Sequence, residues 1–255
     1  MEKNVVYIAD VFKFLDNIDD NSIDLAIVDP PYNLHIADWD TFCNEQFFLD
    51  FTYSWIDKLL PKLKLTASLY IFNTPYNCAL ILNYLRSKCL CYRNFITWYK
   101  KDGMSVCKSK YVNNQESILF YTVSSEYYFD CESIRVPYLS TDRMVAASKT
   151  GILKNGKRWY PNPNGKLCPD VWEIVSERHK QKIAGKIQKL NHPTPKPKEM
   201  INRMILASSK PNDLVLDLFS GSGTTSLCAK ELNRNYIGCE KNMEYVNKSL
   251  TIKNL

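Results

Sequence analysis

Asp213-Leu214-Val215-Leu216-Asp217-Leu218-Phe219-Ser220-Gly221-Ser222-Gly223-Thr224-Thr225 is the stretch on which the fold turns. Asp213 to Leu218 has the length and apolar content of a buried strand, and Gly223 to Leu232 reads as a helix. A strand passing through glycines into a helix is the repeating unit of an α/β sheet, whose ligands bind beyond the carboxyl ends of the strands. Two glycines let the backbone approach such a ligand closely. The dinucleotide signature is incomplete, because residue 226 is Ser where a third glycine is required, and the Gly-Lys-Ser/Thr ending of a phosphate loop is missing. The next strand ends in Ile237-Gly238-Cys239-Glu240, placing an acid seventeen residues past Gly223. A carboxylate at that spacing accepts bonds from two ribose hydroxyls. The block reads as a nucleoside pocket without a pyrophosphate cradle. The alternative is a turn whose glycines serve packing alone.

The same alternation extends outward. Val5 to Ile8, Asp24 to Val28, Ser68 to Phe72, Phe95 to Tyr99, Glu116 to Val123 and Asn235 to Gly238 are strand-like. Val11 to Leu15, Phe47 to Leu63, Cys78 to Leu85, Lys198 to Ser208 and Met243 to Ile252 have helical spacing, with Pro61 disturbing the end of the second. The strand at 24–28 is apolar on both faces, as a covered parallel strand requires. The pattern predicts an α/β fold with a mostly parallel central sheet and helices on both faces.

The strand at 24–28 exits into Asp29-Pro30-Pro31-Tyr32. Two prolines stiffen the backbone and remove two N–H donors, so carbonyls there owe nothing to a ladder. Asp29 adds acceptor-only oxygens and Tyr32 a flat π-face. One carboxylate, one freed carbonyl and one aromatic plate suit a planar heterocycle with an exocyclic amine. A rigid strand-to-loop turn with a capping aspartate is the competing reading.

Charge is segregated. Residues 1–57 hold two basic and twelve acidic side chains, a net of −10, whereas residues 143–198 hold thirteen basic and three acidic, a net of +10. The basic block interleaves Trp159, Tyr160 and Trp172 with the turn-rich Pro161-Asn162-Pro163-Asn164-Gly165. It reads as a loop-rich surface for phosphates and bases, with Lys157, Arg158, Trp159, Arg178, Lys180 and Lys182 as candidate contacts. Nine scattered cysteines show no metal-ligand spacing and read as reduced thiols, mostly buried, with Cys89 and Cys91 on one face of a strand. No metal site is read. No apolar run has the length of a membrane span, and Met1-Glu2-Lys3-Asn4 leads into a strand, not a signal sequence, so a soluble protein that stays where it is made is expected.

Asp29-Pro30-Pro31-Tyr32 followed far downstream by Asp217-Leu218-Phe219-Ser220-Gly221-Ser222-Gly223 resembles the β-group of S-adenosylmethionine-dependent amino-methyltransferases that modify DNA. His192-Pro193-Thr194-Pro195-Lys196-Pro197 is similar to a further cofactor motif of that group. Asn73-Thr74-Pro75, Asp102-Gly103-Met104 and the run Gly156 to Gly165 are also similar to a restriction-system modification enzyme of the group, and the likeness spans nearly the whole chain. The resemblance implies a Rossmann-like methyltransferase fold in three parts: a catalytic half at 1–142, a target-recognition region at 143–190 that is irregular and basic, and a cofactor half at 191–255. It implies catalytic roles for Asp29, Pro30 and Tyr32. It implies cofactor contacts from Asp10, Asp29, Thr194, Lys196, Asp217, Phe219, Ser220, Gly221, Ser222, Gly223, Thr224 and Glu240. The implied partners are double-stranded DNA, a second copy of the chain, a companion restriction endonuclease and a second methyltransferase for the other strand.

The implied reaction is methylation of the N6 amine of a flipped-out adenine. Acceptors at Asp29 and the Pro30 carbonyl favour an amine that has pyramidalised toward attack. No cysteine nucleophile is needed, and none stands in a Pro-Cys pair. An N4-cytosine enzyme shares everything except, most often, the first residue of the tetrapeptide, where Ser is usual. An RNA adenine methyltransferase and an inactive nucleic-acid-binding relative stay open, while the missing third glycine disfavours a nicotinamide dehydrogenase.

Overall fold

Side chains along each central strand divide between two apolar layers. Val5, Tyr7, Ala26, Val28, Leu69, Ile71 and Leu216 join one layer. Their neighbours Val6, Leu25, Ile27, Tyr70, Phe72 and Val215 join the other. This is the period of two expected of extended chain covered on both faces. The computed structural model describes residues 1–101, 107–177, 180–183, 186–189, 195–247 and 249–255. In chain order its elements are β1 (Val5–Ile8), α1 (Val11–Asp16), β2 (Ile23–Val28), α2 (Glu45–Leu59), β3 (Leu63–Asn73), α3 (Pro75–Leu85), β4 (Cys91–Tyr99), β5 (Gln115–Thr122) and α4 (Thr141–Thr150). Then follow β6 (Ile152–Lys154), β7 (Lys157–Trp159), β8 (Val171–Glu173), β9 (Lys180–Ile183), β10 (Lys186–Lys189), α5 (Lys198–Ser208), β11 (Leu214–Asp217), α6 (Thr224–Glu231), β12 (Asn235–Glu240) and β13 (Ile252–Asn254).

Nine strands form one sheet in the order β13-β1-β12-β11-β2-β3-β5-β4-β8. All neighbours run parallel except β5, which is antiparallel to both β3 and β4. Helices α1, α2 and α3 cover one face through Phe14, Trp55 and Ile81. Helices α5 and α6 cover the other through Met204 and Cys228. The expected α/β class, mostly parallel sheet and two helical layers are therefore present. Helix α6 carries the chain from β11 to β12 on one face, and α2 carries it from β2 to β3 on the other. The adjacent ends of β2 and β11 are thus a topological switch point, where α/β sheets open a crevice.

Helix starts follow local chemistry. The Asp10 carboxylate accepts from Phe12 N–H at 2.9 Å at the head of α1, and Asn44 Oδ1 accepts from Phe47 N–H at 3.0 Å at the head of α2. Thr74 caps α3 with Pro75 in its first turn, so this helix begins three residues before the Cys78 expected from spacing.

Four expectations are corrected. The helix predicted over 47–63 ends at Leu59, a tight turn over Leu60–Lys62 accommodates Pro61, and Leu63 already belongs to β3. No helix occupies the described residues of 243–252. Val246 and Leu250 are buried at helical spacing, but Asn242 and Asn247 accept from Glu244 and Ser249 N–H at 3.0 and 2.9 Å, diverting the backbone into turns before β13. The cysteines are all free thiols, yet only Cys78, Cys228 and Cys239 are buried, and Cys89 is exposed ahead of β4 instead of sharing a strand face with Cys91. The basic region is less irregular than expected. It holds α4, the hairpins β6–β7 and β9–β10, and β8, which joins the main sheet beside β4. Asn155 and Gly156, at φ of 52° and 75°, form the tight turn between β6 and β7, a signal present in the sequence.

Among the described residues no helix is long and apolar enough to cross a membrane.

Candidate active site

Parallel register sends the ends of β1, β2, β11 and β12 to one edge of the sheet. Ile8 lies beside Glu240, and Asp217 lies beside Gly238. Asp10, Asp29, Asp217 and Glu240 therefore share that edge, although 230 residues separate the first from the last. A cleft of about 1020 Å³ opens there. It is lined by Asp10, Asp29, Pro30, Tyr32, Lys196, Asp217, Phe219, Ser220, Gly221, Ser222, Thr224 and Glu240. Those are twelve of the expected catalytic and cofactor positions.

On one wall, Glu240 Oε2 accepts from Gly221 N–H at 2.8 Å and Oε1 from Asn242 N–H at 2.8 Å. Burial raises its pKa against the pull of these N–H groups. Asp217 is buried at the end of β11 and accepts from Phe219 N–H at 3.3 Å. Burial pushes its carboxyl up to about 7, against a bond from Thr225. The Phe219 ring rests on Trp55 and Phe51, with centroids 5.8 and 6.2 Å away. Asp10 is exposed and combines its place in the cleft with its capping role on α1.

Gly223 does not belong to this wall. It precedes α6 at a φ of 76°, and a Cβ there would meet Leu250 Cδ1 at 2.4 Å. The turn at Gly223 is therefore closely packed, and its assignment as a cofactor contact stays a proposal.

The opposite wall is built on Asp29. Its Oδ1 accepts from the Tyr32 hydroxyl at 2.8 Å, and its Oδ2 is paired with Lys196 Nζ at 2.9 Å. Among the described residues no donor bonds the Pro30 carbonyl, which stays free for a ligand. Lys196 Nζ also lies 3.3 Å from Glu116 Oε2, and 5.2 and 5.4 Å from the ring centroids of Tyr32 and Phe72. Burial opposes charge on this ammonium, but Asp29 and Glu116 outweigh it and hold its pKa above the ordinary lysine value. Burial first, then the two carboxylates, push the Tyr32 phenol far up, so it stays neutral.

Three contributors were not foreseen. Glu116 opens β5, and because β5 runs antiparallel its first residues lie at the carboxyl end of β3, where Ser117 pairs with Asn73. Its Oε1 accepts from Lys100 Nζ, and although burial disfavours its charge, Lys196 and Lys100 hold its pKa below the usual range. Asp40 is almost fully buried and accepts from Tyr32 N–H, from Asn33 N–H at 2.9 Å and from Leu34 N–H at 2.8 Å. It clamps the loop after the tetrapeptide, while Asn77 Nδ2 donates to the Tyr32 carbonyl at 2.9 Å. A lone acid heading the apolar run 116–123 was the only visible sign of Glu116.

Of the expected nucleic-acid contacts, Lys157, Arg158 and Trp159 do not line the cleft. Lys157, Arg158 and Trp159 are exposed on β7, where Arg158 also donates to the Thr150 carbonyl at the end of α4. Lys180 and Lys182 lie on β9. Arg178 and Thr194 fall outside the described residues, as do the side chains of Lys180 and Lys182. The chain leaves the sheet after β8 at the cleft edge, where Glu173 pairs with Tyr99, and re-enters the cleft at Pro195 and Lys196.

An α/β sheet with a nucleoside-type wall facing an Asp-Pro-Pro-Tyr wall across its switch point defines an amino-methyltransferase of the Rossmann-like class. The chain belongs to the N6/N4 family of DNA methylases, whose family model matches residues 23–252. It is 55% identical over 254 residues to the type II methyltransferase M1.MboII of Moraxella bovis, an alignment covering 100% of this chain and 98% of that protein. It is 30% identical over 261 residues to the DNA adenine methyltransferase YhdJ of Escherichia coli K12, covering 98% and 82% of the two chains. A solved structure described as an M1.HpyAVI–SAM complex is similar at 25% identity and a TM-score of 0.61, covering 94% of each chain.

Proposed function

We propose that this DNA methyltransferase moves a methyl group from S-adenosylmethionine to the N6 amine of adenine in double-stranded DNA, as the modification arm of a restriction system. The observation that carries the reading is the pairing of Asp29 and the unbonded Pro30 carbonyl with the Phe219–Gly221 and Glu240 wall in one cleft. The residues suit the donor. Glu240 offers a carboxylate to a ribose diol, Phe219 offers a ring to the adenine, and Asp10, Asp29 and Asp217 suit a cation. When bound, S-adenosylmethionine supplies a methyl group activated on a sulfonium. Lys196 stands among the acids facing that end, and Thr194 is assigned there from the resemblance alone.

Asp29 and Pro30 act on the amine. Two acceptors fixed at a rigid strand exit orient its N–H bonds and turn its lone pair toward the donor, a preference that strengthens as positive charge develops on nitrogen. Extruding the base costs a few kcal/mol. Stacking on an aromatic ring returns about 1–3 kcal/mol. Lys196 covers one face of Tyr32, so a stacked base takes the other. The basic hairpin β6–β7, with Lys157 and Arg158 exposed, is assigned to phosphates. The reading places the enzyme in a bacterial cytoplasm beside a restriction endonuclease and a second methyltransferase, and carries over pairing with a second copy of the chain.

Adenine is preferred to cytosine because Asp29 heads the tetrapeptide and because YhdJ, a relative over nearly the whole chain, is a DNA adenine methyltransferase. Incubating the protein with plasmid and labelled donor, then digesting to nucleosides, tests this. N6-methyldeoxyadenosine is expected. N4-methyldeoxycytidine would replace it with the cytosine reading, and no methylated nucleoside would remove both.

A further inference from the structure

Both oxygens of Asp29 already have donors. The Tyr32 hydroxyl holds Oδ1 and the Lys196 ammonium holds Oδ2. An amine that is to bond Asp29 must compete with these donors for its lone pairs, and separating a partner from a buried charge network is costly unless a replacement is at hand. Glu116 Oε2 is within reach of both, 3.1 Å from Tyr32 Oη and 3.3 Å from Lys196 Nζ. The phenol has a single proton, so it serves one carboxylate at a time. Glu116 Oε1 is anchored by Lys100, which fixes the carboxylate while the two lone pairs of Oε2 face these two donors. The rings of Tyr32 and Phe72 beside Lys196 confine its ammonium to the gap between the two acids.

We propose that Glu116 is a positioning residue that takes the Tyr32 hydroxyl and the Lys196 ammonium from Asp29 when the target amine docks, opening Asp29 as an acceptor. The proposal rests on the amine reading of the same cleft. No covalent bond changes in the exchange. Tyr32 keeps its proton, Lys196 keeps all three, and the negative charge of Asp29, released from Lys196, faces the amine on which positive charge develops.

Glu116→Gln retains the shape and removes the charge. At saturating donor and DNA, the single-turnover rate of methyl transfer is expected to fall about a hundredfold, the scale of a misplaced reacting group. Donor and DNA dissociation constants should stay unchanged, and Glu116→Asp should recover part of the rate. In a Lys196→Met background nothing competes for Asp29 Oδ2, so Glu116→Gln should cost only about a few-fold more. Equal penalties in the two backgrounds, or a Glu116→Gln rate matching wild type, overturn the proposal. Should Glu116→Gln fail to fold, Lys100→Met removes the anchor from Glu116 without touching Asp29. It is expected to slow the same step with donor affinity intact, and an unchanged rate again overturns the proposal. A wild-type chain that methylates no exocyclic amine would instead remove the reading on which the proposal rests.

Discussion

The cleft and the basic segment between α4 and β10 are held by opposite means. In the cleft, Asp29, Lys196, Glu116, Asp217 and Glu240 are buried or half-buried, and each has named partners delivered by strand ends. In the basic segment, Lys157, Arg158 and Trp159 stand exposed on three-residue strands, joined to the body through α4 and the β4–β8 pairing. Buried charges need a fixed geometry, and the parallel sheet supplies it. Exposed cations gripping a polyanion need only proximity and reach. On the proposed reading, the contrast is between an edge of paired, buried charges that does chemistry and an exposed surface that meets nucleic acid, and each can be perturbed alone.

Asp29→Ala acts on the chemical edge and should have the largest effect, a loss of about 10²–10³ in single-turnover rate with donor and DNA binding retained. Rapid-quench methylation kinetics check it, and an undiminished rate would remove Asp29 from the reaction. Glu240→Ala should weaken donor binding about 10- to 100-fold in calorimetric titration, the worth of hydrogen bonds to a charged group, and leave non-specific DNA binding alone. Lys157→Ala acts on the reading surface. It should reduce the slope of log affinity against log salt by about one and leave the rate on saturating DNA intact. A large change in that rate would erase the distinction between the two regions.

The last effect, on stability and not on rate, concerns Asp217. Its folded-state pKa is about 7 against an ordinary 3.8, so the folded chain binds the proton more tightly than the unfolded one. Stability from this group is therefore full below about pH 4 and is lost as pH rises toward 7, at no more than about 1.4 kcal/mol per pH unit. Asp217→Asn should flatten that part of the stability profile, read from denaturant midpoints between pH 4 and 8.

The two regions also differed in how legible they were. Asp29-Pro30-Pro31-Tyr32 and Gly221 through Glu240 could be read because each is a strand exit, and parallel neighbours share one edge without further information. Glu116 could not, because its address depends on β5 inserting antiparallel between β3 and β4, and an apolar run does not state its direction. Asp40 was invisible for a related reason. It acts through backbone N–H groups of a loop in which Asn33 and His35 adopt φ of 59° and 58°, a course that only the folded chain displays. A glycine that admits a ligand and one that admits Leu250, as Gly223 does, look the same in sequence. In the final segment, Val246 and Leu250 imitate a helix face while Asn242 and Asn247 govern the backbone.

The central claim, that both walls of the cleft serve one transfer, is met most directly by a crystal structure with S-adenosylmethionine bound. The account predicts the ribose on Glu240, the adenine against Phe219 and the sulfonium methyl directed toward Asp29 and the Pro30 carbonyl. A donor seated away from the Phe219–Gly221 wall, or with its methyl turned from Asp29, would contradict it.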